Sequence, residues 1–422
     1  MTSQDTPLTE PPQSYRWIIL ILSWLIYFSF GLIQTTLSVV VIPIINDLQL
    51  TYYQMGVILG CWQLVYIFFA QPAGIIIDRI GPYRSLIIGL LIISISAALR
   101  WFASNFISLF FLVALFGIGG PMISIGLPKL TSLWFIGKER GTASGIIPTG
   151  NAVGGMIALS FTNSILIPWV GNWKIVFLVY SGIGFAIATI WFMFGRRTPK
   201  ISFVNPVPHH NLWNLMRTIF RHKNIWLIVT IGITSFLAGH GLSNWLPTIL
   251  EGKGIQPNDA GYMISVLKLF GIIGSLLIPR LQYRLHSKKK AISITLFSLG
   301  LSITAIALTN GIELWLAMAL SGVMMRGLLP LLTVTLMDLP EVGPSRMGII
   351  GGLYFSIGEI GGFSGPFILG ISKEMTNSFV PGLMFFALVS EAAIFLTMLL
   401  DFSKTSNDNK HNNVTSDTST HQ

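Results

Sequence analysis

Stretches of about 20 predominantly apolar residues, the length an α-helix needs to cross a hydrocarbon core of about 30 Å, recur along nearly the whole of this sequence. Inside a bilayer the backbone has no water to pair with, so a spanning segment must be a helix or part of a closed barrel. A barrel would show short segments of alternating polarity, and these are absent. The sequence therefore predicts an all-α membrane protein. Only 10% of its 422 residues are charged and 52% are apolar, a balance foreign to soluble domains of this length.

Reading apolar runs between polar or turn-rich breaks places twelve spans near 17–42, 53–77, 85–104, 106–130, 143–167, 173–194, 224–250, 260–280, 291–309, 312–337, 346–371 and 379–400. The longest break is basic and carries Pro199, Pro206 and Pro208. It reads as a cytoplasmic linker, 195–223, between six-helix halves at 17–194 and 224–400. Residues 1–16 form a polar cytoplasmic segment, and 401–422 a polar tail expected to be disordered. The first span is too long for a signal-peptide core and lacks a small-residue cleavage pattern, so the N-terminus is expected to stay on the chain.

The net charge of +10 invites a nucleic-acid reading, but the basic residues sit in short loops rather than on one basic domain. With the N-terminus inside, the inner loops hold Arg79, Arg84, Lys138, Arg140, Arg196, Arg197, Lys200, Arg217, Arg221, Lys223, Arg284, Lys288 to Lys290 and Arg346, and the outer loops only Arg100, Lys174, Lys253 and Lys373. The positive-inside rule thus predicts cytoplasmic termini. Trp17, Trp101, Trp134, Trp169, Trp173, Trp191, Trp226 and Trp315 fall near span ends and read as interfacial anchors. Arg100 and Lys129, also near span ends, are expected to snorkel. The lone Cys61 excludes a disulfide framework and a thiolate metal site. His209 and His210 read as a solvated pair in the linker. No cofactor is called for.

Spans 5 and 11 carry similar runs, Gly150-Asn151-Ala152-Val153-Gly154-Gly155 and Gly358-Glu359-Ile360-Gly361-Gly362, the internal repetition typical of secondary transporters. The four-residue spacings Gly141/Gly145, Gly150/Gly154, Gly348/Gly352 and Gly361/Gly365 predict close helix approach, and Pro121, Pro148, Pro330 and Pro366 predict kinks. No glycine stretch matches a phosphate loop, so ATP is not expected to drive the protein.

The loop between spans 2 and 3 reads Gly74-Ile75-Ile76-Ile77-Asp78-Arg79-Ile80-Gly81-Pro82-Tyr83-Arg84, and span 4 is followed by Lys138-Glu139-Arg140-Gly141-Thr142-Ala143-Ser144-Gly145. Both stretches resemble the signatures of the major facilitator superfamily, although Pro82 and Tyr83 stand where basic residues usually follow the second glycine. The resemblance implies two pseudo-symmetric six-helix halves and a cytoplasmic gate built on Gly74, Asp78, Arg79, Gly81, Arg84 and Arg140. Gly74 would allow close helix approach, and Asp78 would bond helix-end amides. Asn244-Trp245-Leu246-Pro247, with Ala260-Gly261 and Gly271-Ile272-Ile273-Gly274-Ser275, more loosely resembles the cyanate-porter group, which moves small anions and other small organic solutes.

Lys268, Arg326 and Glu359 lie mid-span. A charge at the bilayer centre costs about 2.5–3.5 kcal/mol on insertion scales, so such residues face water or each other and mark a path for solute or ion. A purely structural salt-bridged trio is the alternative. The resemblance puts spans 7, 8, 10 and 11 along the C-terminal side of the cavity. Gln34, Gln63, Tyr66 and Asn151 would supply polar contacts, with Trp24, Tyr27 and Trp62 as an aromatic wall, and Tyr354 and His240 complete the candidate set. Two cations against one acid favour an anion. The sequence thus points to a monomeric secondary transporter in the cell (inner) membrane, moving a small anionic solute by alternating access. Glu359 would couple transport to protons by competing with the solute for Arg326 or Lys268. A cation or zwitterion held by the aromatics, or a solute sensor, are the rival readings. No catalytic set can be assembled, so an enzyme is not expected.

Overall fold

The computed structural model describes residues 15–135, 137–197, 222–339 and 342–401. The linker histidines, with the rest of 198–221, the start of the N-terminal segment and residues 402–422 lie outside the described residues. Thirteen α-helices are described: α1 Tyr15–Val39, α2 Val41–Leu48, α3 Tyr52–Leu99, α4 Phe106–Trp134, α5 Gly137–Phe161, α6 Ile167–Val170, α7 Trp173–Phe194, α8 Lys223–Gly252, α9 Pro257–Arg284, α10 Lys288–Leu308, α11 Gly311–Met337, α12 Gly343–Thr376 and α13 Val380–Met398. No strand occurs among the described residues.

Ten of the helical stretches are long and apolar enough to cross a bilayer, and one of them, Tyr52–Phe102, runs for 51 residues. It breaks at Gly81, whose φ of 82° and ψ of 159° take the chain out of the helix, so this stretch makes two crossings. Gly81 tolerates a positive φ that a side chain would strain, and Pro82 restarts the helix with its φ already set. With the 34 residues of α12, the described residues supply twelve helical segments long enough to cross, the number that apolar spacing predicts. Short polar caps separate them. Asn105 accepts from the Ser108 amide at 2.9 Å while Ser108 Oγ accepts from the Asn105 amide at 3.1 Å, and Asn172 accepts from Lys174 N at 2.8 Å. Large apolar side chains such as Phe111, Phe297, Leu388 and Phe395 stand exposed, as a lipid-facing surface requires.

The described chain forms two compact units, one of residues 1–40 and 69–204, the other of residues 41–68 and 205–422. The second therefore takes in the stretch 41–68, which precedes the linker in sequence. Its glycines explain the placement. A Cβ at Gly56 would meet Pro366 O at 2.7 Å, and one at Gly60 would meet Phe363 O at 2.8 Å, so only glycine lets α3 lie this close to α12.

In the first unit α1 and α5 pack most extensively, and in the second α8 and α12 do so together with α9 and α11. Gly150 and Gly154 lie against the backbone at Trp24 and Phe28, while Gly361 and Gly365 lie against the backbone at Ile233 and Leu237. The two glycine pairs thus make equivalent contacts in the two units. The register differs by three residues from the one the runs suggest, so Gly150 corresponds to Gly361 rather than to Gly358. Gly141 and Gly145 correct the sequence reading: a Cβ at either would meet nothing within 4 Å, so this pair is not a packing contact.

Several span-end residues also depart from expectation. Trp134, Trp173 and Trp191 are buried, and Trp191 donates to Tyr83 O at 3.1 Å. They are packing residues rather than interfacial anchors. Arg100 does not snorkel; it is 1% exposed, with its guanidinium 4.5 Å from the Phe177 ring centroid, an arrangement that suits a cation on a π face.

Candidate substrate site

In the first unit the signature loop forms an ionic contact that its sequence pattern does not specify. Asp78 pairs with Lys129 of α4 rather than serving helix-end amides, so Lys129 is an ion-pair partner and not a snorkelling anchor. Arg79, Arg84 and Arg140 are exposed. Gly74 has nothing within 4 Å of a Cβ built on it, which removes the close-approach role expected of it in this unit. Tyr83, standing where a base is usual, donates to Phe192 O at 2.9 Å and so ties the start of the third crossing to the end of α7. A further pair, Arg16 Nη1 to Glu139 Oε2 at 2.6 Å, joins the starts of α1 and α5. Gln34 and Asn151 are half-buried on α1 and α5 of this unit, and Trp24 donates to Thr149 Oγ1 at 2.9 Å.

Asp78 is mostly exposed, and an exposed ion pair contributes about 0.2–1 kcal/mol. Asp78→Asn should accordingly change the rate of conformational exchange by about fivefold at most, with solute affinity unchanged. Distance distributions between two spin labels, one on each half, would report the exchange. Lost affinity with normal exchange would place Asp78 in the binding site instead.

The second unit holds the mid-span charges. Lys268 on α9 and Arg326 on α11 interact electrostatically across the seam between these helices. The seam is narrow because Gly322 lies against Leu267 O and Gly274 against Val323 O. Gly271 leaves the space that the Arg326 stem occupies, since a Cβ there would come within 2.8 Å of Arg326 Cγ. Arg326 is exposed at the sixteenth position of a 27-residue helix, and exposure at that depth fits an aqueous path far better than hydrocarbon.

Glu359 lies on α12. It is 5% exposed, and its Oε2 lies 3.5 Å from His240 Nε2 on α8. The sequence reading did not single out this imidazole as a neighbour of Glu359. Gln63 on α3 is fully buried, and its Nε2 lies 3.1 Å from His240 Nδ1. The imidazole is stacked on Phe236, with centroids 6.1 Å apart, and meets Trp62 edge-on at 5.6 Å. Tyr66 is half-buried and packs edge-on against Trp62 at 6.4 Å. Phe236 was missed by sequence reasoning, although its position four residues before His240 on one helix was a legible signal. Tyr354, expected to touch solute, is fully buried; its ring fills the space left by Gly232 and packs against Phe236 at 6.1 Å. It is a packing residue. Trp24 and Tyr27 belong to the first unit and Trp62 to the second, so the expected aromatic wall is divided between them. The Asn244-Trp245-Leu246-Pro247 run is structural: Trp245 is fully buried and donates to Pro366 O at 2.8 Å.

Among the described residues no group of three or more His, Cys, Asp or Glu could hold a metal ion. Chemically, this unit offers a guanidinium and an ammonium near mid-span, and a buried carboxylate next to an imidazole, groups that bind and release solutes and protons rather than break bonds.

Comparison with known proteins agrees. The Major Facilitator Superfamily profile matches residues 23–366, and the chain belongs to that family. It is similar to the hexuronate transporter of Bacillus subtilis (strain 168), 23% identical over 386 residues that make up 86% of this chain and 89% of that protein. It is also similar to the D-galactonate transporter of Escherichia coli O6:H1, 24% identical over 428 residues, 92% of this chain and 96% of that one. Its fold matches a bacterial homologue of the human lysosomal transporter Spinster in an inward-facing, occupied conformation, with a TM-score of 0.76 and 17% identity over 94% of this chain and 99% of that one. The protein is a multi-pass integral membrane transporter and not an enzyme.

Proposed function

We propose that the protein is a secondary transporter that moves a small organic anion of the sugar-acid class across a bacterial inner membrane by alternating access, as a monomer with both termini in the cytoplasm. One observation carries this reading: Lys268 and Arg326, two mid-span basic residues, interact electrostatically across the α9–α11 seam, and two cations at that depth attract an anion. A guanidinium can hold a carboxylate with two parallel hydrogen bonds, and an ammonium adds a point charge. The names of the hexuronate and D-galactonate transporters support the same class. The basic inner loops support the orientation.

A cation or zwitterion is the second reading, favoured by the rings of Trp62 and Phe236 around His240 beside a buried carboxylate. Binding separates the two. A bound solute stabilises the folded state in proportion to its occupancy, by about 2.7 kcal/mol at 100 times Kd. Thermal unfolding of the purified chain with hexuronates, aldonates and aldarates, and with choline and tetraethylammonium, should therefore show a raised Tm with acids alone. A rise with the quaternary ammonium ions alone would establish the second reading.

A further inference from the structure

Two buried acceptor atoms lack a hydrogen-bond partner in the same small cluster, Gln63 Oε1 and Glu359 Oε2. Between them stands His240, its Nδ1 towards Gln63 and its Nε2 towards Glu359. Gly362 closes the cluster from the side. A Cβ there would strike Glu359 Oε2 and come within 3.1 Å of His240 Cδ2 and 3.2 Å of Gln63 Cγ, so the three side chains share one confined space. With a neutral imidazole and an ionised carboxylate the cluster carries one buried negative charge, which is costly in a low-dielectric interior. One added proton cancels it. The doubly protonated imidazole also has two N–H donors, one for Glu359 Oε2 and one for Gln63 Oε1 once its amide turns over, and these are the two acceptors left unserved.

We propose that His240 and Glu359 share a single exchangeable proton, that Gln63 is the positioning residue that fixes the ring, and that this proton is the coupling ion of transport. The coupling part rests on the function proposed above; the proton site itself does not. Among the described residues, the other mid-helix charged or titratable groups on elements packed against α8 include Lys268 on α9, Arg326 on α11 and Tyr354 on α12. Glu391 on α13 lies against Gly300 of α10. The stretch of α3 contributes Tyr66. Cations in the same unit disfavour a further positive charge, so a solute anion that neutralises them would make proton binding easier. Proton and anion then load together, and by linkage each tightens the other by the same factor.

Gln63 adds a conformational consequence. Beyond it, α3 and α12 are sealed by Gly56 against Pro366, Gly60 against Phe363, and the Tyr52 amide donating to Glu374 Oε2 at 2.9 Å. Close packing of this kind leaves little room for water between α3 and α12 on the Tyr52 side. Separation of α3 from α12 would take Gln63 off the ring and open the pair to that side.

Trp62 reports on the ring, because an imidazolium quenches a neighbouring indole. The test is a pH titration of tryptophan fluorescence on the purified full chain, with the Trp62 contribution taken as wild type minus Trp62→Phe. A single one-proton transition is expected, lost in His240→Gln and displaced by about one pH unit or more in Glu359→Gln. Gln63→Leu should displace it as well, which a merely structural glutamine would not do. If Trp62→Phe yields no folded protein, the infrared carboxyl band that disappears in Glu359→Gln follows the same proton. A transition unmoved by Glu359→Gln overturns the shared proton, and a response to sodium at constant pH with none to protons replaces it with a different ion.

Coupling is read separately, in proteoliposomes supplied with D-galactonate. Glu359→Gln should lose at least tenfold in accumulation driven by a pH gradient while counterflow falls less than threefold. Undiminished pH-driven accumulation overturns the coupling role. Should wild type move no D-galactonate at all, the fluorescence titration still decides the proton site, and that failure belongs to the proposed function alone.

Discussion

Arg326→Lys should weaken sugar-acid binding by at least about tenfold although the charge is kept. Two parallel N–H···O bonds to a carboxylate become one point-charge contact, and charge-assisted hydrogen bonds are worth about 1.5–3 kcal/mol each, where 1.4 kcal/mol is a factor of ten. The exchange also shortens the stem that lies over Gly271. Lys268→Arg should do less harm, because the ammonium contributes charge without a fixed geometry. Titration calorimetry on the purified variants measures both. Unchanged affinity in Arg326→Lys would remove Arg326 from the site.

The second large effect concerns the seam that sets the two cations side by side. A Cβ at Gly274 would strike Val323 O and come within 2.6 Å of Val323 Cα and 2.7 Å of its carbonyl carbon. These are backbone atoms and cannot rotate away, so Gly274→Leu must push α9 from α11. Overpacking of a close-packed core costs about 1–3 kcal/mol, and the loss here should lie at the upper end. The expected result is a clear fall in Tm together with loss of solute binding, since Lys268 and Arg326 separate when the helices do. Gly145→Ala is the control, with nothing within 4 Å of the new methyl, and its Tm should match wild type. Equal Tm values for Gly274→Leu and wild type would show that the α9–α11 contact is not a close-packed seam.

These two glycines show where the sequence was legible and where it was not. Apolar length fixes the crossings, because every backbone group in a bilayer must pair within its own helix or barrel. Gly81 between Ile80 and Pro82 marks the break in α3 just as plainly. Four-residue glycine spacing, by contrast, does not say which face of a helix meets a neighbour, so Gly150/Gly154 and Gly361/Gly365 pack while Gly141/Gly145 stand open. Tryptophans divide in the same way: Trp169 is 81% exposed and Trp191 fully buried, though both sit near span ends.

Charge pairing was the hardest to read. Arg326 and Lys268 are the obvious partners for Glu359 by sign, and the sequence did not also point to His240, 119 positions earlier in the chain, whose imidazole lies against the carboxylate. Lys129 and Asp78 were recognisable as charges near the inner ends of their spans but not as a pair. In each case the residue type announced a polar contact inside or beside the membrane. The partner was decided by the angular register of neighbouring helices, which no single stretch of sequence carries.

The central claim is that the basic α9–α11 pair defines an anion transporter. Uptake into proteoliposomes, with radiolabelled hexuronate, D-galactonate, choline and tetraethylammonium each tested with and without an inward-directed proton gradient, tests it most directly. The account predicts accumulation of a sugar acid that the proton gradient drives and that Arg326→Lys reduces by at least about tenfold. Accumulation of a cation with no flux of either acid would contradict it.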